Sequence, residues 1–365
     1  MPHNADSELK LAKGMELNMN SRQRVLDTLR RKPVDVPAVE YKYNNVGIHE
    51  HGEKINELFA KYPGDFSAFV PAVMPNLPPE LFDENGQYHK VEKDEWGILR
   101  EHRIYGHAGY VIKHPISSVE EYNDYELPPL PDYCTDPVAF EREKEKLAEE
   151  KQGYMTFRDA NYMFLLRLIH LRGFEDALMD LFEDGPEINA FMDRMTEYYM
   201  ASIHKLIEMG VDAIAFGDDY GTQQNLILSV DLFRKTIFHR LKKLMDPIRE
   251  AGIHIHFHSC GQIIKLLPLF EEMGVNSIWP QLPAYEMTEL AAVCDRHNLT
   301  IALHTDRAYA MTSGTPEYVR ELVRKEADIF RPQDGNGWFF IEIDSGFPYE
   351  NIVALVEEIF SLRKS

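Results

Sequence analysis

Residues 253–261 read Ile-His-Ile-His-Phe-His-Ser-Cys-Gly, and the last turn, His258-Ser259-Cys260-Gly261, sets an imidazole and a thiol two residues apart where a strand meets a glycine. Those two donors can share one soft or borderline metal ion such as zinc. Period-two alternation sends Ile253, Ile255 and Phe257 to one face and His254, His256, His258 and Cys260 to the other. An apolar face opposite a polar row suits a strand whose inner side lines a barrel lumen and whose outer side packs under helices. His254 and His256 lie away from the strand end and read as hydrogen-bonded core residues. His258 and Cys260 read as metal ligands or catalytic groups.

The elements that must position this pair follow a βα rhythm. Short apolar runs at 36–41, 66–70, 154–158, 213–216, 253–258, 277–279, 300–304 and 338–343 give eight strand candidates, the number a closed parallel barrel needs. Amphipathic stretches at 187–209, 232–251, 263–273, 287–297 and 316–329 alternate with them. Asp184-Gly185-Pro186, Ser229-Val230-Asp231 and Thr315-Pro316-Glu317 read as helix starts. The expected fold is an α/β (β/α)₈ TIM barrel over residues 21–365, preceded by a flexible segment at 1–20. A Pro-rich excursion at about 71–137 interrupts the first third, with Asp94-Glu95-Trp96-Gly97 inside a small β-rich insert.

Barrel enzymes place their chemistry after the strands, and there the chain is unusually polar. The candidate strand ends supply Arg158, Asp159 and Asn161, then Asp218, Asp219, Tyr220, Gln223 and Gln224, then His258 and Cys260. Trp279 and Gln281, then His304, Asp306 and Arg307, and finally Glu342, Asp344 and Ser345 complete the ring. A catalytic zinc takes a third protein ligand and keeps one position open, so Glu342 or Asp344, which share strand parity, is expected to join His258 and Cys260. Asp219 or His304 would serve as the catalytic group that orients a leaving atom. Asp218, Tyr220, Gln223, Trp279, Gln281, Trp338 and Phe339 are the expected substrate contacts, the aromatics as walls of an aryl pocket.

Composition narrows the partners. The 365 residues carry 39 Lys plus Arg against 60 Asp plus Glu, and a formal charge of −21 repels phosphate backbones and anionic membranes. Neither nucleic acid nor a membrane is expected as a partner. No stretch approaches the apolar length of a bilayer span, and the reading is cytoplasmic. Cys134, Cys260 and Cys294 are too few and scattered for a disulfide framework, Cys294 reading as core packing. The oligomeric state, a homo-oligomer included, stays open.

Several pieces, in order along nearly the whole chain, resemble the uroporphyrinogen decarboxylase superfamily and its corrinoid-dependent methyltransferases of anaerobes. They are Ser21-Arg22-Gln23-Arg24-Val25-Leu26 through Asp35-Val36-Pro37, Arg172-Gly173-Phe174-Glu175-Asp176-Ala177-Leu178 with Pro186-Glu187, and Gly210-Val211-Asp212 into Phe216-Gly217-Asp218-Asp219. His258-Ser259-Cys260-Gly261, Gly314-Thr315-Pro316-Glu317 and Ser345-Gly346-Phe347-Pro348-Tyr349-Glu350-Asn351-Ile352 continue the series. The porphyrin decarboxylases carry an arginine-rich loop after the first strand. Here that stretch reads Val39-Glu40-Tyr41-Lys42-Tyr43-Asn44-Asn45 and has no arginine.

The methyltransferase branch binds zinc through a His-x-Cys after the fifth strand, with a third ligand, usually cysteine, near the last. This chain offers Ser345 beside Asp344 and Glu342 instead, which argues against the coenzyme M type, because fewer thiolates make a harder, more Lewis acidic site. The resemblance thus implies a zinc-dependent transfer of methyl from a small donor, favoured as a methyl ether such as a methoxylated aromatic, to the cob(I)alamin of a partner corrinoid protein. The alternatives are a tetrapyrrole decarboxylase, a methylcobamide:thiol methyltransferase and a non-catalytic module that binds a corrinoid protein.

Overall fold

The computed structural model of the chain describes residues 19–42, 44–160 and 162–364. Of the expected flexible segment 1–20, residues 1–18 lie outside the described residues, as does Asn161, while Asn20 caps the helix Ser21–Leu29.

Ten strands occur among the described residues, in two sheets. The barrel strands are β1 (Val39–Lys42) and, after the insert, β5 (Phe157–Asp159), β6 (Ala213–Gly217), β7 (His254–Ser259), β8 (Ser277–Pro280), β9 (Thr300–Leu303) and β10 (Gly337–Glu342). All seven are parallel, in the order β1-β10-β9-β8-β7-β6-β5. Inward side chains from opposite parts of the sheet, Ala38, Ala213, Ala302, Trp338 and Phe340, meet in one buried cluster. The sheet therefore curls on itself as an α/β barrel of the TIM type. Outward residues such as Ile255, Phe257, Ile278, Ile301 and Phe339 join the larger core under the helices.

The expected strand at 66–70 does not form. Asp65 stands in the gap between β1 and β5, its N–H donating to Val39 O (2.7 Å) while its carboxylate accepts from Val39 N–H (3.0 Å). The carboxylate thus replaces a backbone acceptor and ends the ladder after one residue. It is also a charge hub, paired with Arg24 and Arg363 and accepting from Ser21 Oγ. Phe66 then turns into the lumen, its ring 5.6 Å from Trp338 and 6.5 Å from Phe157.

The helical segments follow the apolar periodicity. Ser229 Oγ accepts from Leu232 N–H and Thr315 Oγ1 from Tyr318 N–H, side-chain caps at two of the three expected starts. At the third, Gly185 precedes Pro186–Met209 without a side-chain cap. The expected helix at 232–251 begins earlier, at Val230, and carries a π-helical turn at Arg234–Phe238 before His239–Glu250. The Pro-rich excursion holds a three-stranded antiparallel sheet of β2 (Lys90–Lys93), β3 (Leu99–His102) and β4 (Tyr110–Lys113). Asp94-Glu95-Trp96-Gly97 is its first turn, where Asp94 Oδ1 accepts from the N–H of Trp96 and Ile98 and Gly97 takes a positive φ of 75°. No helix among the described residues is long and apolar enough to cross a membrane.

At the base of the barrel Asp212 ties three elements together. It receives Arg22 through two bonds of 2.6 and 2.7 Å, and Thr156 through its N–H and hydroxyl. Burial alone would raise its pKa, but these donors outweigh it and hold the carboxyl at about 2. A depressed folded pKa gives stability that is present above the ordinary value of 3.8 and lost as pH falls toward 2. Arg22→Ala is expected to lower unfolding free energy at pH 7 by about 2 kcal/mol, the cost of stripping a partly buried pair. The same variant should show a shallower loss of stability between pH 4 and 2 in urea titrations. An unchanged acid limb would show that this pair does not govern it.

Candidate metal and active site

The pairing of β7 with its neighbours places Gly217 opposite His258 on one side and Trp279 opposite it on the other. His258 projects into the mouth of the lumen, half-buried, with its ring 4.0 Å from that of Trp279. Its Nδ1 lies 2.9 Å from Trp279 O. A carbonyl only accepts, so Nδ1 carries the proton and Nε2 keeps a lone pair. That lone pair faces Cys260 Sγ at 3.5 Å and Asp219 Oδ1 at 3.9 Å. Ligand atoms of Asp219, His258 and Cys260 all lie within 4.8 Å of one another, the one such cluster among the described residues.

The chemistry of these donors suits a borderline cation. Burial lowers the pKa of His258, which keeps the imidazole neutral. Burial, reinforced by Asp219, pushes the Cys260 thiol up to about 12. The thiol therefore keeps its proton unless a metal displaces it. One nitrogen, one sulfur and one oxygen fit zinc with a position left open.

The carboxylate beside this pair is not either of those expected from sequence as the third ligand. Glu342 accepts a long bond from Asn44 (3.4 Å) and lies 3.9 Å from Arg307, while Asp344 receives His107 (2.9 Å) and lies 3.9 Å from Arg307. Neither carboxylate joins the His258–Cys260 cluster, and their partners tie the end of β10 to the insert and to the segment after β1. Asp219, expected as a catalytic group, occupies the third corner. Its Oδ1 accepts the N–H of Cys260 at 3.0 Å, so the β6 and β7 loops share one carboxylate.

Two glycines make that closeness possible. A Cβ on Gly261, whose φ is +73°, would lie 2.3 Å from the carbonyl of Gly221, and one on Gly221 would lie 2.5 Å from Gln262 N. The loop is pinned further by Gln281 Oε1, which accepts from Gly261 N–H (3.0 Å) and Gln223 Nε2 (3.3 Å). Tyr285 adds a bond to Gly261 O (2.7 Å) and accepts from Ile263 N–H (2.9 Å). Gly221 and Tyr285 escaped sequence reasoning because nothing local marks a contact made between loops.

A cleft of about 420 Å³ opens beside the cluster, lined by His258, Cys260, Trp279, Gln281, His304 and Arg307, with Pro280, Leu282 and Pro283 as apolar wall. Trp279 Nε1 donates to His304 Nδ1 at 3.2 Å, so the proton of His304 sits on Nε2. Burial, with Arg307 and His258 nearby, lowers its pKa to about 3 and keeps it a neutral donor. Of the expected substrate contacts, Trp279 and Gln281 line this cleft and exposed Gln223 stands beside Gln281.

The others are corrected. Asp218 is buried and accepts the N–H groups of Phe164, Leu165 and Leu166 at 2.7–2.8 Å, capping the helix Leu165–Arg172 instead of meeting solvent. Tyr220 packs between Phe233 and Phe257. Trp338 fills the lumen below, donating to Glu40 Oε2 (2.8 Å), and Phe339 points outward into the helical core. With Trp338 and Phe339 fully buried, neither walls an aryl pocket. His256, as expected, is a core residue bonded to Ser277 Oγ (2.8 Å), whereas His254 Nε2 has no partner. Cys134, which no sequence feature paired, lies 3.5 Å from Ser202 Oγ.

Two outcomes are expected. Gly261→Ala forces both a disfavoured φ and a backbone collision, so it should lower stability by more than about 1 kcal/mol and weaken metal binding, read by thermal unfolding and metal titration. Behind the cleft, Thr305 donates to Glu326, which is fully buried and whose pKa burial raises to about 8 from the ordinary 4.5. A raised folded pKa gives stability that is complete below about pH 4.5 and lost as pH rises toward 8. Glu326→Gln should abolish that decline in denaturant titrations; an equal decline in both proteins would exclude Glu326 as its source.

Comparison with known proteins agrees with this architecture. The family profile described as uroporphyrinogen decarboxylase (URO-D) matches residues 104–359. The methylcobamide:CoM methyltransferase MtbA of Methanosarcina acetivorans is 25% identical over 162 residues, 44% of this chain and 45% of that protein. MtbA of Methanosarcina mazei is 24% identical over 149 residues, 41% of this chain and 42% of that protein. The alignments thus span less than half the length of these curated relatives. A solved methyltransferase from Methanosarcina mazei superposes with a TM-score of 0.63 at 15% identity, covering 94% of this chain and 99% of that one, and so shares its fold. With the profile spanning well over half of its residues, this chain belongs to the uroporphyrinogen decarboxylase family.

Proposed function

We propose that the protein is a corrinoid-dependent methyltransferase that holds zinc through His258, Cys260 and Asp219, and moves a methyl group from a small donor to the reduced cobalt of a corrinoid on a partner protein. The observation that carries this reading is the convergence of one imidazole lone pair, one thiol and one carboxylate at the barrel mouth beside an open cleft. The methylcobamide methyltransferases among its relatives support the corrinoid half. The donor set favours an ether, perferably a methoxylated aromatic, because a site with a single thiolate is hard enough to favour oxygen.

When bound, zinc supplies Lewis acidity that makes the departing alkoxide or phenolate less basic. The chain supplies the rest. His304 Nε2–H is a neutral donor on the cleft wall, suited to hydrogen-bond the departing oxygen as the C–O electron pair stays on it. Trp279, Pro280, Leu282 and Pro283 give an apolar wall that excludes water from the methyl carbon. Arg307 lines the cleft between Glu342 and Asp344 at the rim and presents N–H donors that could bond an anionic product.

The activity of the methylcobamide:CoM methyltransferase relatives favours a second reading, in which methylcobamide is the donor and a thiol the acceptor. The test joins metal content to direction. Anaerobically purified protein should carry about one zinc per chain, lost in His258→Ala, Cys260→Ala and Asp219→Ala but kept in Glu342→Gln and Asp344→Asn. Methylation of cob(I)alamin by methoxylated aromatics should fall by at least ~100-fold in the first three variants. Zinc retained in Asp219→Ala and lost in Glu342→Gln would transfer the third ligand to β10. Turnover only of methylcobalamin with thiols would establish the second reading.

A further inference from the structure

A second cavity, of about 690 Å³, shares no lining residue with the cleft. It is walled by the turn between β2 and β3, by the connection that follows the insert, and by the helices Leu165–Arg172 and Pro186–Met209. Arg167 faces it. This residue is only 7% exposed, its guanidinium lies 4.0 Å from the ring centroid of Trp96, and its Nε has no hydrogen-bond partner.

The charge balance of buried arginines makes Arg167 exceptional. Three arginines are buried among the described residues. Arg24 pairs with Asp35 and Asp65, and Arg240 pairs with Asp193. No ion pair of the described residues, at N···O separations up to 4.0 Å, includes Arg167. The neighbouring hydroxyls are neutral: Tyr199, which donates to Met163 O, also meets the guanidinium through its oxygen, and Tyr198 donates to Pro129 O, so neither supplies a counterion. Glu95, the carboxylate on the cavity wall, is exposed at its rim. A desolvated guanidinium beside a void and without a counterion is a site for an anion, since burial of an unpaired charge is strongly unfavourable.

The walls specify the rest of the ligand. Trp96, Pro131, Tyr133 and Tyr198 offer flat apolar surfaces on more than one side of the space. Inorganic phosphate would leave those faces uncovered. We propose that this cavity is a second binding site, taking a small aryl carboxylate whose carboxylate meets Arg167 and whose ring lies among Trp96, Pro131 and Tyr133. The proposal is independent of the metal site and of the reaction carried out there.

The experiment is a ¹⁹F NMR titration of the full chain with 4-fluorobenzoate, with binding also measured in Arg167→Met, Ser202→Phe and His258→Ala. Ser202 is buried on the cavity wall, so Ser202→Phe fills the space while keeping the arginine, and it carries the test if Arg167→Met fails to fold. Saturable binding is expected in the parent and in His258→Ala, with affinity about 10- to 100-fold lower in Arg167→Met and in Ser202→Phe. Neutral 4-fluorobenzyl alcohol should bind at least ~10-fold more weakly than the carboxylate. No saturable binding in the parent, equal affinity in Ser202→Phe, or loss of binding in His258→Ala would overturn the site. Displacement by inorganic phosphate at equal concentration would overturn its aryl specificity.

Discussion

The parallel register of β7 between β6 and β8 sets Gly217, His258 and Trp279 at one level of the lumen, and the chemistry at the mouth depends on that alignment. It brings Trp279 O to His258 Nδ1, which fixes the tautomer and aims the Nε2 lone pair at Cys260 and Asp219. A slip of one residue would turn Phe257 into the lumen and His258 into the helical layer. The buried Ile255 and Phe257 on the outer face oppose any such slip, so the hydrophobic core holds the imidazole in place.

Around this register, buried charge is handled in distinct ways. Asp65 gathers two arginines and stands where an eighth strand would pair. Asp218 is satisfied by three backbone N–H groups at a helix start, yet burial still raises its pKa to about 6. Glu326 escapes the cost of charge by staying protonated over most of the neutral range, bonded to Thr305 beneath the cleft. Arg167 alone among the buried arginines lacks a carboxylate, beside a cavity of its own.

The loops above the sheet meet through backbone contact as well as side chains. Gly221 and Gly261 approach more closely than any Cβ allows, and Tyr285 and Gln281 bind the peptide groups of Gly261. This contact carries Asp219 to Cys260, and so turns a two-residue motif into a three-donor site. Glu342 and Asp344 stand at the same mouth, engaged by Asn44, Arg307 and His107 from three separate segments.

Much of the barrel was legible in the chain, because strand alternation and helical periodicity are local consequences of burying one face. The run 253–260 displayed its inward histidines and the His258–Cys260 pair directly. Residues 66–70 misled for a physical reason: they are apolar enough for a strand, but the Asp65 carboxylate takes up the hydrogen bond of β1 that a ladder would use. Trp338 faces the lumen but lies below the mouth, because periodicity assigns a face and gives no depth along the barrel axis, whereas Phe339, one residue on, is sent outward by that same alternation. By itself, then, the sequence determined the βα rhythm, the inward row of β7 and the nitrogen and sulfur donors, all set by neighbours along the chain. Only the tertiary structure set Asp219, and not Glu342 or Asp344, beside the His258–Cys260 pair and left Arg167 without a carboxylate partner, because those outcomes depend on which loops meet and which buried charges find partners in space.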